Sequence, residues 1–353
     1  MVARNTTNTI DNKMPETALP NPPAATRAGN THWGRLIFAF FLNAACALFL
    51  AENTPAAQGD PLTLVRIGYQ KYGSLNVVKA QGTFDQKLAQ EGLKTQWIQF
   101  QAGPQLLEGM NVGSIDIGHS GEAPPIFAQA AGTPFVYIGS QPPYPVGEAI
   151  LVPKNSPIKT VAELKGKKIA LNKGSNVHYL LVKALEKAGL KYQDIQPAFL
   201  PPAAARAAFD GGKIDAWAIW DPFLTVAQVA TEARVLTDGE GIVANREFFF
   251  ATRKLAETHP EIIQALNDAI DRAAAWTKEK PAEVAAYLSR DVGVDPHLLE
   301  VITRRQPWGF QPVDSAVLAD QQSIADTFFR LGLIPKQIDV TEAVAKNTVA
   351  KAH

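Results

Sequence analysis

One order of elements occurs twice in this chain, about a hundred residues apart, and that repeat constrains the fold more than any other feature. In the first pass Arg66-Ile67-Gly68-Tyr69 reads as a strand, 70–74 as a polar loop, and 77–90 as a helix. Val112-Gly113-Ser114-Ile115-Asp116 then leads through a loop to a helix carrying Pro125-Ile126-Phe127-Ala128-Gln129-Ala130. In the second pass the strand is Ile169-Ala170-Leu171 and the polar loop 172–175. After its helix, Gly211-Gly212-Lys213-Ile214-Asp215 leads to Pro222-Phe223-Leu224-Thr225-Val226-Ala227-Gln228. The period is too long for a solenoid and predicts two similar lobes. Short strands alternating with helices argue for α/β units on mostly parallel sheets. After Phe248 the chain is helical by period over 257–278, 281–290, 296–303 and 315–331. In such open sheets ligands bind beyond the carboxyl ends of the strands, so four polar loops are expected to converge on one guest.

The most informative loop of the second pass lies in 167–190, KKIALNKGSNVHYLLVKALEKAGL. Ile169-Ala170-Leu171 suits a buried parallel strand. Apolar residues at Val177, Leu180, Leu181, Ala184 and Leu185 mark a helix that Gly189 closes. Gly174 lets backbone approach backbone, and Ser175 or Asn176 suits the N-cap. First-turn N–H groups and the positive end of the helix dipole then face the strand mouth. That is the geometry of an anion site, although a plain βα turn with a good cap has the same pattern. No GxxxxGK[ST] motif accompanies it, so a nucleotide is not the expected guest.

The length of 353 residues suggests about two domains. Equal counts of 34 basic and 34 acidic residues leave no electrostatic footprint for nucleic acid. Residues 1–57 read as a disordered leader with a secretory signal peptide: a polar stretch, Arg35, the uncharged apolar run 36–51, and small residues at Pro55-Ala56-Ala57. That run is shorter than the roughly 20 residues a comfortable membrane span needs. Removing 1–57 takes four basic and three acidic residues and leaves 30 and 31, a near-neutral export. The single cysteine, Cys46, lies inside the run, so no disulfide or cysteine-based metal site is expected in the exported part.

Candidate binding chemistry clusters at the strand ends. Asp215-Ala216-Trp217-Ala218-Ile219-Trp220-Asp221-Pro222 closes a strand with two tryptophans and a carboxylate ahead of a helix start. Trp220, next to the loop, is expected to wall a ligand tail, whereas Trp217 suits tail or core equally. Ser120-Gly121-Glu122 offers a hydroxyl and free N–H groups, and Glu122 suits the N-terminus of the next helix. Gln105, after Gly103-Pro104, and Gln70, at the end of the first strand, carry amides able to donate to an oxyanion. His119 and His178 lack a second ligand at workable spacing and read as a loop histidine and a helix-surface histidine. Arg304-Arg305 reads as solvated charge. No catalytic residue, metal or cofactor is expected, since GxSxG and paired carboxylates with a nucleophile are both missing.

The stretches RIGYQK, AGPQLLEGMNVGSIDIGHSGEAPPIFAQAAG, NSPIKTVAELKGKKIALNKGSNVH, LKYQDIQP and GKIDAWAIWDP occur in that order. Together they resemble the aliphatic sulfonate-binding proteins of bacterial ABC transporters, part of a wider nitrate/sulfonate/taurine-binding family. The resemblance spans residues 64–340 and implies a two-lobed periplasmic binding protein of type II, hinged between two mixed, mostly parallel sheets. It implies lobe 1 at 58–150, lobe 2 at 151–248, and a return to lobe 1 at 249–353, with hinges near Val152-Pro153 and Phe249-Phe250. Carried over residue by residue, the sulfonate site would include Gln70, Gln105, Ser120, Gly121, Ser175 and Asn176. Trp220 and Asp221 would lie beside the organic tail, and Glu122, Gly174 and Trp217 complete the expected ligand-binding set.

Two departures stand out. The family often has Ser-Thr-Gly-Asp in place of His119-Ser120-Gly121-Glu122, and Gly-Ser-Ser-Ser-His in place of Gly174-Ser175-Asn176-Val177-His178. The second removes a hydroxyl from the anion site. The implied protein is a monomeric periplasmic receptor, not an enzyme, that captures an alkanesulfonate for sulfur acquisition. Its partners would be a transmembrane ABC permease and its ATPase. Taurine, whose ammonium would meet Asp221, and nitrate or another oxyanion are the neighbouring readings; an enzyme on the same two-lobed fold is the reading from another class.

Overall fold

The computed structural model describes residues 62–344, so the leader expected at 1–57 lies outside the described residues. The first four strands are β1 (Leu64–Tyr69), β2 (Lys94–Gln99), β3 (Ile117–Gly121) and β4 (Phe135–Ser140). Then come β5 (Glu148–Val152), β6 (Lys168–Leu171), β7 (Gln196–Phe199), β8 (Ala216–Trp220) and β9 (Arg234–Asp238), and finally β10 (Glu247–Thr252). They form two five-stranded sheets, ordered β2-β1-β3-β10-β4 and β7-β6-β8-β5-β9. β1 pairs in parallel with β2 and β3, as β6 does with β7 and β8. β10 in one sheet and β5 in the other run against both of their neighbours.

The chain therefore leaves the first sheet through 141–147 and returns to it through 239–246. Each sheet receives its antiparallel strand immediately after a crossing, and the repeat read from the sequence is a repeat of topology. Two lobes, each an α/β sandwich, result. Val152 and Phe249-Phe250, read as hinge positions, lie within β5 and β10. β4 and β5 are buried along their whole length, in keeping with strands covered on both faces.

Two helices differ from their sequence reading. The helix expected over 77–90 is split into Ser74–Gln81 and Thr83–Gln90, because Gly82 adopts a left-handed φ of 66° and ends the first. The helix expected from 257 starts at Pro260 and runs as Pro260–Glu279, after a separate turn Arg253–Thr258. Proline fits the first turn but cannot donate into a preceding one. Helices Pro281–Val292, Pro296–Arg305 and Ser315–Arg330 come next, as expected. Leu266, Ile270, Leu288, Leu299 and Ile302 from these helices share one core with Val65 and Ile67 of β1 and with Phe249 of β10. Packing of this kind, worth about 1.5–3 kcal/mol per buried large side chain, ties the C-terminal helices to the first sheet. Among the described residues no helix is long and apolar enough to cross a membrane.

Candidate functional site

A cleft of about 110 Å³ lies where the loops after β1 and β3 face those after β6 and β8. That volume holds on the order of ten water-sized spheres. Gln70, Gly121, Ser175, Asn176, Trp220 and Asp221, six of the expected site residues, line it together. The two crossings supply Pro142, Tyr144, Asn245 and Arg246, and the first residue of β10 supplies Glu247.

One end of the cleft is built for an anion. Helix Asn176–Lys187 points its N-terminus into it, with Ser175 in extended conformation at the cap. The Ser175 hydroxyl donates to the Asn172 carbonyl at 2.7 Å instead of capping, and an α-helix leaves its first N–H groups without intrahelical acceptors. Gly174 has a φ of 75°, and its N–H donates to Nδ1 of His178 at 3.2 Å. Because Nδ1 accepts that N–H, the neutral imidazole carries its proton on Nε2, which lies 2.9 Å from the Tyr192 hydroxyl. Burial, with the Lys173 charge second, lowers the His178 pKa to about 4.

Asn176 spans the cleft. Its Oδ1 accepts from the Ala123 N–H at 3.2 Å, next to β3, and its Nδ2 donates to Asn245 Oδ1 at 2.6 Å. Asn245 donates in turn to the Tyr144 carbonyl at 2.7 Å, so both crossings are tied to the same amide. A Cβ on Gly121 would overlap the Asn176 amide, which is why only glycine fits there.

The other end is aromatic and carries one carboxylate. Trp220 and Tyr72 line it, and Trp220 meets Phe223 edge-on at 6.2 Å. Asp221 Oδ2 accepts from Arg305 Nη2 at 2.6 Å and from the Tyr144 hydroxyl at 3.0 Å. Its Oδ1 accepts from Thr225 Oγ1 at 2.6 Å and Thr225 N at 3.3 Å.

The remaining expected residues are placed elsewhere. Gln105 is exposed on helix Gly103–Asn111 and does not line the cleft. Ser120 is fully buried and donates to the Gly121 carbonyl at 3.1 Å. Gly174 lies behind the lining, within reach of Phe127. Trp217, 1 % exposed, packs at 5.8 Å from Phe209 in the core under β8. Glu122 is buried, with Oε2 accepting from Arg246 N at 2.9 Å and Oε1 without a partner among the described residues. Desolvation pushes the Glu122 carboxyl up to about 7 against the pull of those backbone N–H groups. Glu148, fully buried with neither oxygen partnered, is raised well above the ordinary carboxyl range by burial and by the Glu122 charge.

Three readings of single residues need correction. His119 lies in β3, fully buried, where Nε2 accepts from Gln70 N at 3.2 Å and Nδ1 contacts Glu247. His178 is also fully buried, because Phe127 stacks on it and Phe328 packs tilted against it from the first lobe. Arg305 is no solvated charge; only Arg304 is, paired with Glu300 on its own helix at 2.9 Å. Arg246 went unnoticed in the sequence. It lines the cleft, reaches Asp320 only at 3.6 Å, and its buried Nε has no acceptor among the described residues. Its position in a chain crossing, which must pass the cleft, is the signal that could have found it.

The family model described as NMT1/THI5 like matches residues 88–284. The crystal structure of the periplasmic aliphatic sulphonate binding protein SsuA from Escherichia coli is 43% identical and has a TM-score of 0.74, covering 83% of this chain and 95% of that one. The chain belongs to the aliphatic sulfonate-binding protein family. Another member, the alkanesulfonate-binding protein SsuA from Xanthomonas axonopodis pv. citri bound to MOPS, is 41% identical with a TM-score of 0.77, covering 80% of this chain and 98% of that one. The taurine-binding periplasmic protein of Escherichia coli (strain K12) stands further off, 29% identical over 213 residues, 59% of this chain and 64% of that relative. Membership in the sulfonate-binding family accords with a cleft that pairs an anion end with an aromatic end.

Proposed function

We propose that this protein is a periplasmic receptor that closes on an aliphatic sulfonate and passes it to a transmembrane ABC permease, driven by its ATPase, for sulfur acquisition. One observation carries this reading: the N-terminus of helix Asn176–Lys187 and the Gly121 loop meet from opposite sheets at a cleft whose far end is aromatic. A sulfonate has three oxygens to accept from N–H donors and stays anionic at ordinary pH, so dipoles can bind it. In this reading Ser175, Asn176, Gly121 and Gln70 surround the anion, the Arg246 guanidinium adds charge, and Trp220 covers the tail. The lobes divide at the two crossings and close as a clamp, which presents a surface the permease recognises. Export rests on the apolar run at 36–51, and the receptor works as a monomer.

Binding rather than catalysis is supported by the cleft's acids, each already partnered: Asp221 by Arg305 and Glu247 by His119. Calorimetric titration of refolded, ligand-stripped protein with ethanesulfonate, octanesulfonate, nitrate and sulfate tests the reading. Alkanesulfonates should bind and the two inorganic ions should not. Silence from both alkanesulfonates refutes it.

A further inference from the structure

A carboxylate at the organic end of a sulfonate cleft is the obvious seat for the ammonium of an aminosulfonate. Here that seat is taken. Each Asp221 oxygen has two donors, Arg305 and Tyr144 on Oδ2 and the hydroxyl and N–H of Thr225 on Oδ1. A carboxylate offers about four lone-pair sites, so an incoming ammonium finds no acceptor free. It also meets a guanidinium of its own sign, held in place three ways. Arg305 Nη2 reaches Thr225 Oγ1 at 2.8 Å as well as Asp221, and Nε reaches the Tyr144 hydroxyl at 2.9 Å.

The arrangement joins separate parts of the fold. Arg305 ends helix Pro296–Arg305, whose Leu299 and Ile302 pack in the core of the first sheet. Asp221 and Thr225 follow β8 of the second sheet. Arg305 does not line the cleft; it approaches Asp221 from behind, with a third of its side chain still exposed. Asp221 itself is 7 % exposed and does line the cleft, so its charge is felt by the guest and answered from the opposite lobe.

We infer that Arg305 is a specificity-determining residue: by saturating Asp221 from the opposite lobe, it makes the tail end of the cleft favour neutral-tailed sulfonates over aminosulfonates. The inference rests on the sulfonate reading and deepens it. Without Arg305, Asp221 would keep Tyr144 and Thr225 but regain a free lone pair and an uncompensated negative charge. Glu247 also lines the cleft, yet its Oε1 is held by His119 and it belongs to β10 of the first sheet. The choice of a cationic tail therefore falls to Asp221.

Ethanesulfonate and taurine are the right probes, since they share a two-carbon sulfonate and differ by the terminal ammonium. Both are titrated calorimetrically at pH 7 against the full chain, Arg305→Gln, Arg305→Lys, and Arg305→Gln with Asp221→Asn. The unaltered protein should favour ethanesulfonate at least tenfold. Arg305→Gln should move the ratio at least tenfold toward taurine, and Asp221→Asn in that background should erase the gain. Arg305→Lys, which keeps the charge without the planar fork, should remain selective for ethanesulfonate. An unchanged ratio in Arg305→Gln overturns the inference, as does equal loss of both ligands, which would leave Arg305 a closure latch alone. A lysine variant that behaves like the glutamine variant, or an unaltered protein that binds taurine as tightly as ethanesulfonate, overturns it too. Silence toward ethanesulfonate in the unaltered protein is a different result, because it sinks the sulfonate reading itself.

Discussion

Replacing Gly121 with alanine tests whether the cleft closes as the contacts across it require. The added Cβ would lie closer than 3.0 Å to the amide of Asn176, a residue on the other side of the cleft. Either the amide stays, at an overpacking cost of about 1–3 kcal/mol, or it moves. Moving breaks its bonds to Ala123 and Asn245, each worth about 0.5–1.5 kcal/mol. Both routes put roughly 1–3 kcal/mol against the closed form, a rise in Kd of about 5- to 150-fold. The clash exists only between lobes, so the unliganded protein should melt within about 2 °C of the parent, a shift that corresponds to roughly 1 kcal/mol at this size. Titration calorimetry with ethanesulfonate gives Kd, and thermal melts with and without ligand give the midpoints. Asn176→Ala should weaken binding alone, and Gly121→Ala added to it should cost little more, the signature of a shared contact. A Kd within twofold of the parent would refute the reasoning. So would a large fall in the unliganded midpoint, which would place the clash inside one lobe.

Trp220→Ala should weaken octanesulfonate by about 1–3 kcal/mol and ethanesulfonate by much less, because an aromatic wall acts through the tail area it covers; equal losses measured by titration would remove that role. Glu122→Gln should stabilise the protein by roughly 3 kcal/mol at pH 8 and hardly at all at pH 4.5, from a carboxyl raised from 4.5 to about 7. The raised group binds more protons folded than unfolded, so its contribution falls as pH rises through that window; denaturant unfolding at both pH values checks this, and parallel curves would refute it.

β1 was readable from the chain alone because its ends are chemically marked: Leu64–Tyr69 is apolar but for Arg66 and stops at a polar loop. The converging loops were readable too, since Gly, Pro and Ser at strand ends declare turns that sheet topology then gathers. What escaped depends on partners far along the chain. His178 looked like a surface position because nothing local covers it; Phe328, 150 residues on, does. Arg305 looked solvated because its acceptor, Asp221, lies 84 residues away. Gln105 failed for another reason: a helix start fixes where backbone N–H groups point, but not which side of the helix a given side chain takes.

The placement of β10 bears on how the molecule comes into being. β3 and β4 have no strand between them until residue 252 has been made, and Gly121 must wait for Glu247. Two neighbouring edges of the first sheet stay open through more than a hundred residues of synthesis, during which the second sheet can assemble whole. The half of the protein that emerges first is thus the half that finishes last. A chain wired in this way has its last-made sheet strand as the keystone of its first-made sheet, so a chain cut short before residue 247 keeps the second sheet but leaves the first one split.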